Sequence, residues 1–310
     1  MTAIKIDNIQ SQLGSLKVNY NYLNKTHPNW NLKKVVLKTG IKNLFLANEN
    51  EDVLSLSLRS CNKTLKGFNK DLIDCIIVVT QTAKNKLPSV SCMLQDKLKL
   101  KKNLIAFDIG LGCSGYIYAL GTIKSLLSTN MASNVLLVCS DTYSKFTNKN
   151  NRTCRTIFSD AASSCIIRKA KGKNNIVFSF LSDGSGANNL IETNNNIEMI
   201  GSNIFQFTTQ NIPIMFNKIL KQNNIKKKEI KRFIFHQASK IVLNRLKDDL
   251  KIADKKFATN YDKIGNTVSS SIPILINELV KSKKIKKNDL IMLMGFGVGL
   301  SASACIIKWR

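Results

Sequence analysis

The chain has 310 residues, 44% of them hydrophobic, and carries 47 Lys and Arg against 20 Asp and Glu for a formal net charge of +27. That size suits one large or two ordinary globular domains. No apolar run reaches the ~18 to 20 residues that span a bilayer, so stable membrane insertion is not expected. The opening MTAIKIDNIQSQLGSLK lacks the apolar stretch of a signal peptide, which makes the cytoplasm the expected location. The charge invites a nucleic-acid reading, but the lysines are spread among Asn and Ile, and no segment interleaves a basic stripe with aromatics. No nucleic acid is therefore expected: the excess of lysine reads either as the compositional bias of an AT-rich genome or as a positive surface that suits an acidic protein partner.

In chain order, the apolar runs IDCIIVVT, NLIAFDIG, NVLLVCSD, AASSCIIRKA, RFIFHQAS, DLIMLMGF and SASACIIKW alternate with helix-like segments. The alternation predicts an α/β fold with helices layered on central sheets. The Asn/Lys-rich stretches 145–152 and 187–197 read as exposed loops. The eight cysteines, at 61, 75, 92, 113, 139, 154, 165 and 305, form no CxxC pair, and several lie in apolar runs. They read as free thiols in a reducing compartment.

An internal repeat organises the chain. Ser164-Cys165-Ile166-Ile167-Arg168 is echoed by Ala304-Cys305-Ile306-Ile307-Lys308, each after a run of small residues. Upstream, Gly112-Cys113 and Gly265-Asn266 each open an amphipathic stretch (YIYALGTIKSLL and IPILINELVKS) that leads to a strand. Two βαβ-type halves are predicted, 1–170 and 171–310, with an insertion in the first between Asp141 and Thr156. Equivalent helix starts would bring Cys113 and Asn266 to a shared pseudo-twofold axis.

Cys113 lies in FDIGLGCSGYIYAL, where a strand ends in Gly-Leu-Gly and a helix begins. A helix N-terminus favours negative charge, so a lowered thiol pKa is expected. Of the two histidines, His27 sits beside Pro28 in a polar segment and reads as a surface residue; His236 ends a strand, where α/β sheets place their sites. Asn266, in YDKIGNTVSSSIP, is an uncharged hydrogen-bond donor before a helix, and Gly295-Phe296-Gly297-Val298-Gly299 offers backbone N–H groups to an anion.

Cys113 in GCSG, His236 in HQAS, Asn266 in GNT and a closing GFGVG, in that order and spacing, resemble the active site of 3-oxoacyl-acyl-carrier-protein synthase III. LKTGI, VVTQT, Pro88, Arg152, FSDAASS and DGSG extend the resemblance over nearly the full chain. It implies a thiolase-like, layered α-β-α-β-α homodimer in which Cys113, His236 and Asn266 are catalytic. The oxyanion would be held by the backbone at Cys113, Gly297 and Val298. Implied substrate contacts are Lys38, Arg152, Leu87, Phe205 and Phe207, with Lys34 (or Trp30, through a shifted gap) and Ile241 also at positions that clamp CoA in the family. No metal or bound cofactor is implied, because CoA and carrier-protein phosphopantetheine thioesters enter as substrates. The implied partners are an acidic acyl carrier protein and an acyl-CoA or acyl-carrier-protein donor. The implied reaction is a decarboxylating condensation with malonyl-carrier protein, in fatty-acid initiation or a specialised pathway. A non-condensing transfer to an amine or hydroxyl is the alternative.

Overall fold

The computed structural model describes residues 3–170 and 176–310. The predicted boundary between halves, at 170/171, falls at the edge of the residues outside that description. Two five-stranded sheets carry the fold. The first runs, in spatial order, Ala3–Leu13, Ala161–Ala170, Asn134–Asp141, Cys75–Val79 and Ile105–Ile109. The second runs Phe178–Ser182, Ser301–Lys308, Leu290–Gly297, Ile230–Phe235 and Phe257–Ala258. Each sheet pairs its first three strands antiparallel and its last three in parallel. The two sheets therefore have one topology, and the repeated pentapeptides occupy matching strands: Cys165 lies opposite Leu137, and Cys305 opposite Leu293.

Burial on alternating strand residues sorts the layers. Cys75, Ile77 and Val79 face one core with Ile291, Leu293 and Cys305 of the other sheet, and the helices Gly115–Ser128 and Ser271–Lys281 lie between. Ile76 and Val78 face the opposite way, under the helices Val53–Thr64 and Val90–Lys97. Phe233, Phe235, Met292 and Met294 turn outward beneath Gly201–Asn223 and Lys240–Asp249. Helix, sheet, helix, sheet, helix is the resulting stack. Parallel strands buried on both faces read as unbroken apolar runs, which is why these segments stood out in the sequence.

One stretch corrects the sequence reading. Residues 187–197 are not an open loop: Leu190–Thr193 and Asn196–Met199 pair as an antiparallel hairpin around Asn194-Asn195, both at positive φ. The Asn pair that suggested a loop is the turn of that hairpin. Ile197 packs with Cys113, Phe158 and Val268, so the hairpin closes one side of the site.

Candidate functional site

The C-terminal ends of both parallel strand sets meet in a cavity of about 580 Å³. Cys113, His236 and Asn266 all line it, with Phe296 and Gly297 from the closing glycine segment. The inserted region contributes Arg152 and Thr153, and the segment that follows it contributes Ile157 and Phe158. Lys38 and Arg152 line the cavity and are exposed, so basic groups stand at its opening.

Cys113 lies in the turn between Ile105–Ile109 and the helix Gly115–Ser128. The turn is fixed from the other half of the chain: Ser303 Oγ donates to the Ser114 carbonyl at 2.9 Å, and the Ser114 and Ser301 hydroxyls meet at 2.8 Å. Gly297 has φ +157, and a Cβ there would lie 3.0 Å from Cys113 Sγ, so only a glycine lets this backbone reach the sulfur. The N–H groups of Cys113 and Val298 both reach the sulfur. This is the pair of donors an acyl oxyanion on Cys113 would need.

The lowered thiol pKa expected from the sequence does not hold. Burial, with the Asp141 carboxylate nearby, pushes the Cys113 thiol up to about 12 against the two backbone donors. Cys113 is only 5% exposed, and desolvation of a thiolate outweighs a helix end there. The thiol is therefore protonated at rest.

His236 follows the strand Ile230–Phe235, and its N–H bonds the Met294 carbonyl across the sheet at 2.8 Å. Phe296 meets the ring edge-on at 5.6 Å, while Nδ1 lies 2.7 Å from Ser271 Oγ. Burial holds the imidazole neutral, down to about 3. Unfolded, the same group would protonate near 6.5. The unfolded state therefore binds the extra proton between those values, and His236 lowers stability as pH falls through that window. Relative to His236→Gln, the wild-type unfolding free energy should drop by about 2 kcal/mol from pH 7.5 to pH 5. Urea unfolding of both proteins at each pH measures it, and the difference cancels the buried carboxylates common to both. A pH-independent difference would contradict a neutral, buried His236.

Asn266 is clamped between the halves. Its N–H bonds the Ile157 carbonyl at 2.9 Å, and its carbonyl accepts from Ser159 at 2.8 Å. Its side-chain Oδ1 accepts from the Val268 N–H at 2.9 Å, which leaves the amide NH2 as the group free to donate. Gly265, at φ +71, passes so close to Ser159 and Leu44 that a Cβ would approach them within 2.6 and 2.7 Å.

The sequence reading missed Asp141 as an anchor. This fully buried carboxylate accepts from Gln81 N and Thr82 Oγ1 on one oxygen and from Ser269 N and Oγ on the other. It ties the turn after Cys75–Val79 to the segment that follows Asn266. Burial pushes its pKa up to about 6 despite those donors. Its position at a strand end gave no signal of this, since the Ser269 partner lies 128 residues away.

Of the remaining predicted contacts, Phe205 lines the cavity with Lys38 and Arg152, and Ile241 also lines it. Phe207 does not, which corrects that expectation: it is buried in the outer core with Ile212 and Phe216. Gly201, Ile204, Phe205 and Thr208 form the helical stripe that faces the cavity, and Phe207 lies about 200° around the helix from Phe205. Leu87 is 84% exposed and outside the cavity of its own chain. Lys34 is exposed and outside it too, and Trp30 stacks on His27 with ring centroids 3.8 Å apart.

A duplicated α/β fold that brings a buried Cys, His and Asn to one cavity has the architecture of the thiolase-like class. Residues 107–186 match the family model "3-Oxoacyl-[acyl-carrier-protein (ACP)] synthase III", and 220–309 match its C-terminal counterpart. The beta-ketoacyl-[acyl-carrier-protein] synthase III of Oceanobacillus iheyensis is 32% identical over 276 residues, 88% of each chain. A Clostridium perfringens protein of the same name is 34% identical over 289 residues, 87% of this chain and 89% of its own. The crystal structure of 3-oxoacyl-[acyl-carrier-protein] synthase III from Aquifex aeolicus superposes with a TM-score of 0.94 at 28% identity, covering 99% of this chain and all of that one. The chain belongs to the 3-oxoacyl-[acyl-carrier-protein] synthase III family, and is an enzyme of the acyltransferase type.

Proposed function

We propose that the protein catalyses a decarboxylating condensation of an acyl thioester with malonyl-acyl carrier protein through an acyl-Cys113 intermediate, at the initiation of fatty-acid synthesis. The observation that carries this is the convergence of one nucleophile and two neutral donors, His236 and the Asn266 amide, on one cavity. Cys113 Sγ attacks the thioester carbonyl, and the Cys113 and Val298 N–H groups hold the oxyanion. The bond between the acyl carbon and the pantetheine sulfur breaks, and the thiol proton of Cys113 ends on the departing sulfur. Malonyl-carrier protein then enters, carbon dioxide leaves, and the enolate oxygen accepts from His236 and Asn266. The enolate carbon attacks the acyl-Cys113 carbonyl, which breaks that thioester, frees the 3-oxoacyl product and leaves a Cys113 thiolate that regains its proton from solvent. A plain transfer to an amine or hydroxyl gives two neutral donors no enolate to hold. The test is carbon dioxide release from malonyl-carrier protein that matches 3-oxoacyl product one to one. Acyl transfer to an amine or hydroxyl with no carbon dioxide would overturn the reading.

The carrier is read as acidic because the helices Leu32–Thr39 and Lys240–Asp249 flank the opening and present Lys33, Lys34, Lys38 and Lys240, with Arg152 between. The KM for malonyl-carrier protein should rise several-fold between roughly 50 and 300 mM salt, as screening shortens the reach of exposed charges. A flat KM would make the lysines irrelevant to docking.

A homodimer and a cytoplasmic location complete the proposal. Supporting the dimer, Ile105–Ile109 is a sheet edge whose residues are all only partly buried. Phe180 is exposed and meets the half-buried Tyr118 with ring centroids 4.4 Å apart, and Leu87 projects from the chain. An open apolar edge of this kind calls for cover by another strand. Light scattering should give about twice the 34.6 kDa chain mass; a monomer would refute it. Seven of the eight free cysteines are buried, which suits a reducing compartment, and among the described residues no helix is long and apolar enough to cross a membrane. Fractionation of the source cells would check the location: activity recovered outside the cytoplasm would contradict it.

A further inference from the structure

His236 and Ser271 come from different elements, the end of one strand and the first turn of the helix Ser271–Lys281, and meet in a place closed to solvent. Ser271 is 1% exposed and His236 2%. The two atoms in contact, Ser271 Oγ and His236 Nδ1, are 2.7 Å apart, and heavy-atom positions alone leave either as the donor. The surroundings decide it. The backbone N–H of Gln237 points to the same hydroxyl at 3.5 Å, so Ser271 Oγ already has a donor. Among the described residues the hydroxyl has no acceptor other than His236 Nδ1. This sets it apart from Thr122, Ser125 and Ser282, whose hydroxyls donate to the carbonyls of Tyr118, Gly121 and Glu278 one turn earlier. If Nδ1 carried the proton, the Ser271 O–H would be a buried donor with nowhere to go, a costly arrangement.

We propose that Ser271 is a positioning residue that donates to Nδ1 of His236 and so locks the ring in the tautomer whose single N–H, on Nε2, faces the cavity. Nε2 has no protein partner among the described residues and is not sealed from solvent. The cavity that His236 lines is therefore what it addresses. The edge-on contact with Phe296 holds the ring plane, and the Ser271 hydroxyl sets its polarity. With the proton on Nδ1 instead, a lone pair would meet the enolate oxygen where a donor is needed. The kinetic consequence rests on the proposed reaction, but the tautomer itself does not.

The chain has only two histidines, so imidazole 15N NMR of the full protein labelled in histidine gives two ring systems, and His27→Asn removes one and so assigns both. The expected spectrum has His236 Nε2 protonated and Nδ1 bare; in Ser271→Ala the two nitrogens should shift toward averaged or exchanged values, and Ser271→Thr should restore the wild-type pattern. A wild-type ring protonated on Nδ1, or an unchanged tautomer in Ser271→Ala, would overturn the proposal whatever reaction the enzyme performs. Should Ser271→Ala not fold, the wild-type spectrum alone still decides. In kinetics, malonyl decarboxylation by Ser271→Ala should fall roughly tenfold, while acyl loading of Cys113 falls less than about twofold. An equal fall in both steps would reduce Ser271 to a packing role.

Discussion

Cys113→Ala is expected to abolish the acyl-enzyme and with it all condensation, while the protein stays folded. The exchange removes one sulfur atom from a site beside the cavity, a loss of order 1 kcal/mol in stability, whereas no other thiol can take over the covalent step. None of the other seven cysteines lines the cavity. Intact mass after incubation with an acyl thioester reads the result. Adduct persisting in Cys113→Ala would place the nucleophile elsewhere.

His236→Ala and Asn266→Ala should divide the reaction into its two halves. Both side chains reach the cavity as neutral donors, and neither is among the groups that bear on the Cys113 sulfur. Acyl loading should therefore survive in part. Decarboxylation should fall by about two to three powers of ten in each variant, since one hydrogen bond to a developing oxyanion in a dry site is worth roughly 3 to 4 kcal/mol. The double variant should lose less than the sum, because both donors serve one oxygen. Carbon dioxide release and acyl-enzyme mass, followed side by side, give both numbers. Equal loss of the two steps would remove the enolate roles.

The features legible in the sequence were those with local cause. Strands buried on both faces announce themselves as apolar runs, and the repeated Cys-Ile-Ile segments predicted the shared topology of the two sheets. Cys113, His236 and Asn266 were visible because each stands at a strand end or a helix start beside glycine or small residues. What stayed hidden depends on contacts across the chain. Ser271 looked like one more small residue in VSSSIP, and its meaning comes from a histidine 35 residues earlier. Phe207 was misplaced because two aromatics, two apart, point to different faces of a helix. The thiol pKa was misjudged for a third reason: the helix start is readable from sequence, but the burial that outweighs it is a tertiary property.

A two-stage single-turnover experiment tests the central claim most directly. The enzyme is loaded with an acyl thioester, freed of excess donor, and then mixed with malonyl-carrier protein while intact mass and carbon dioxide are followed together. The account predicts one acyl group on the Cys113 peptide, discharged at the rate at which carbon dioxide appears, with the carrier gaining the mass of the 3-oxoacyl product. An acyl group on another residue, or one that leaves Cys113 without carbon dioxide release, would contradict it.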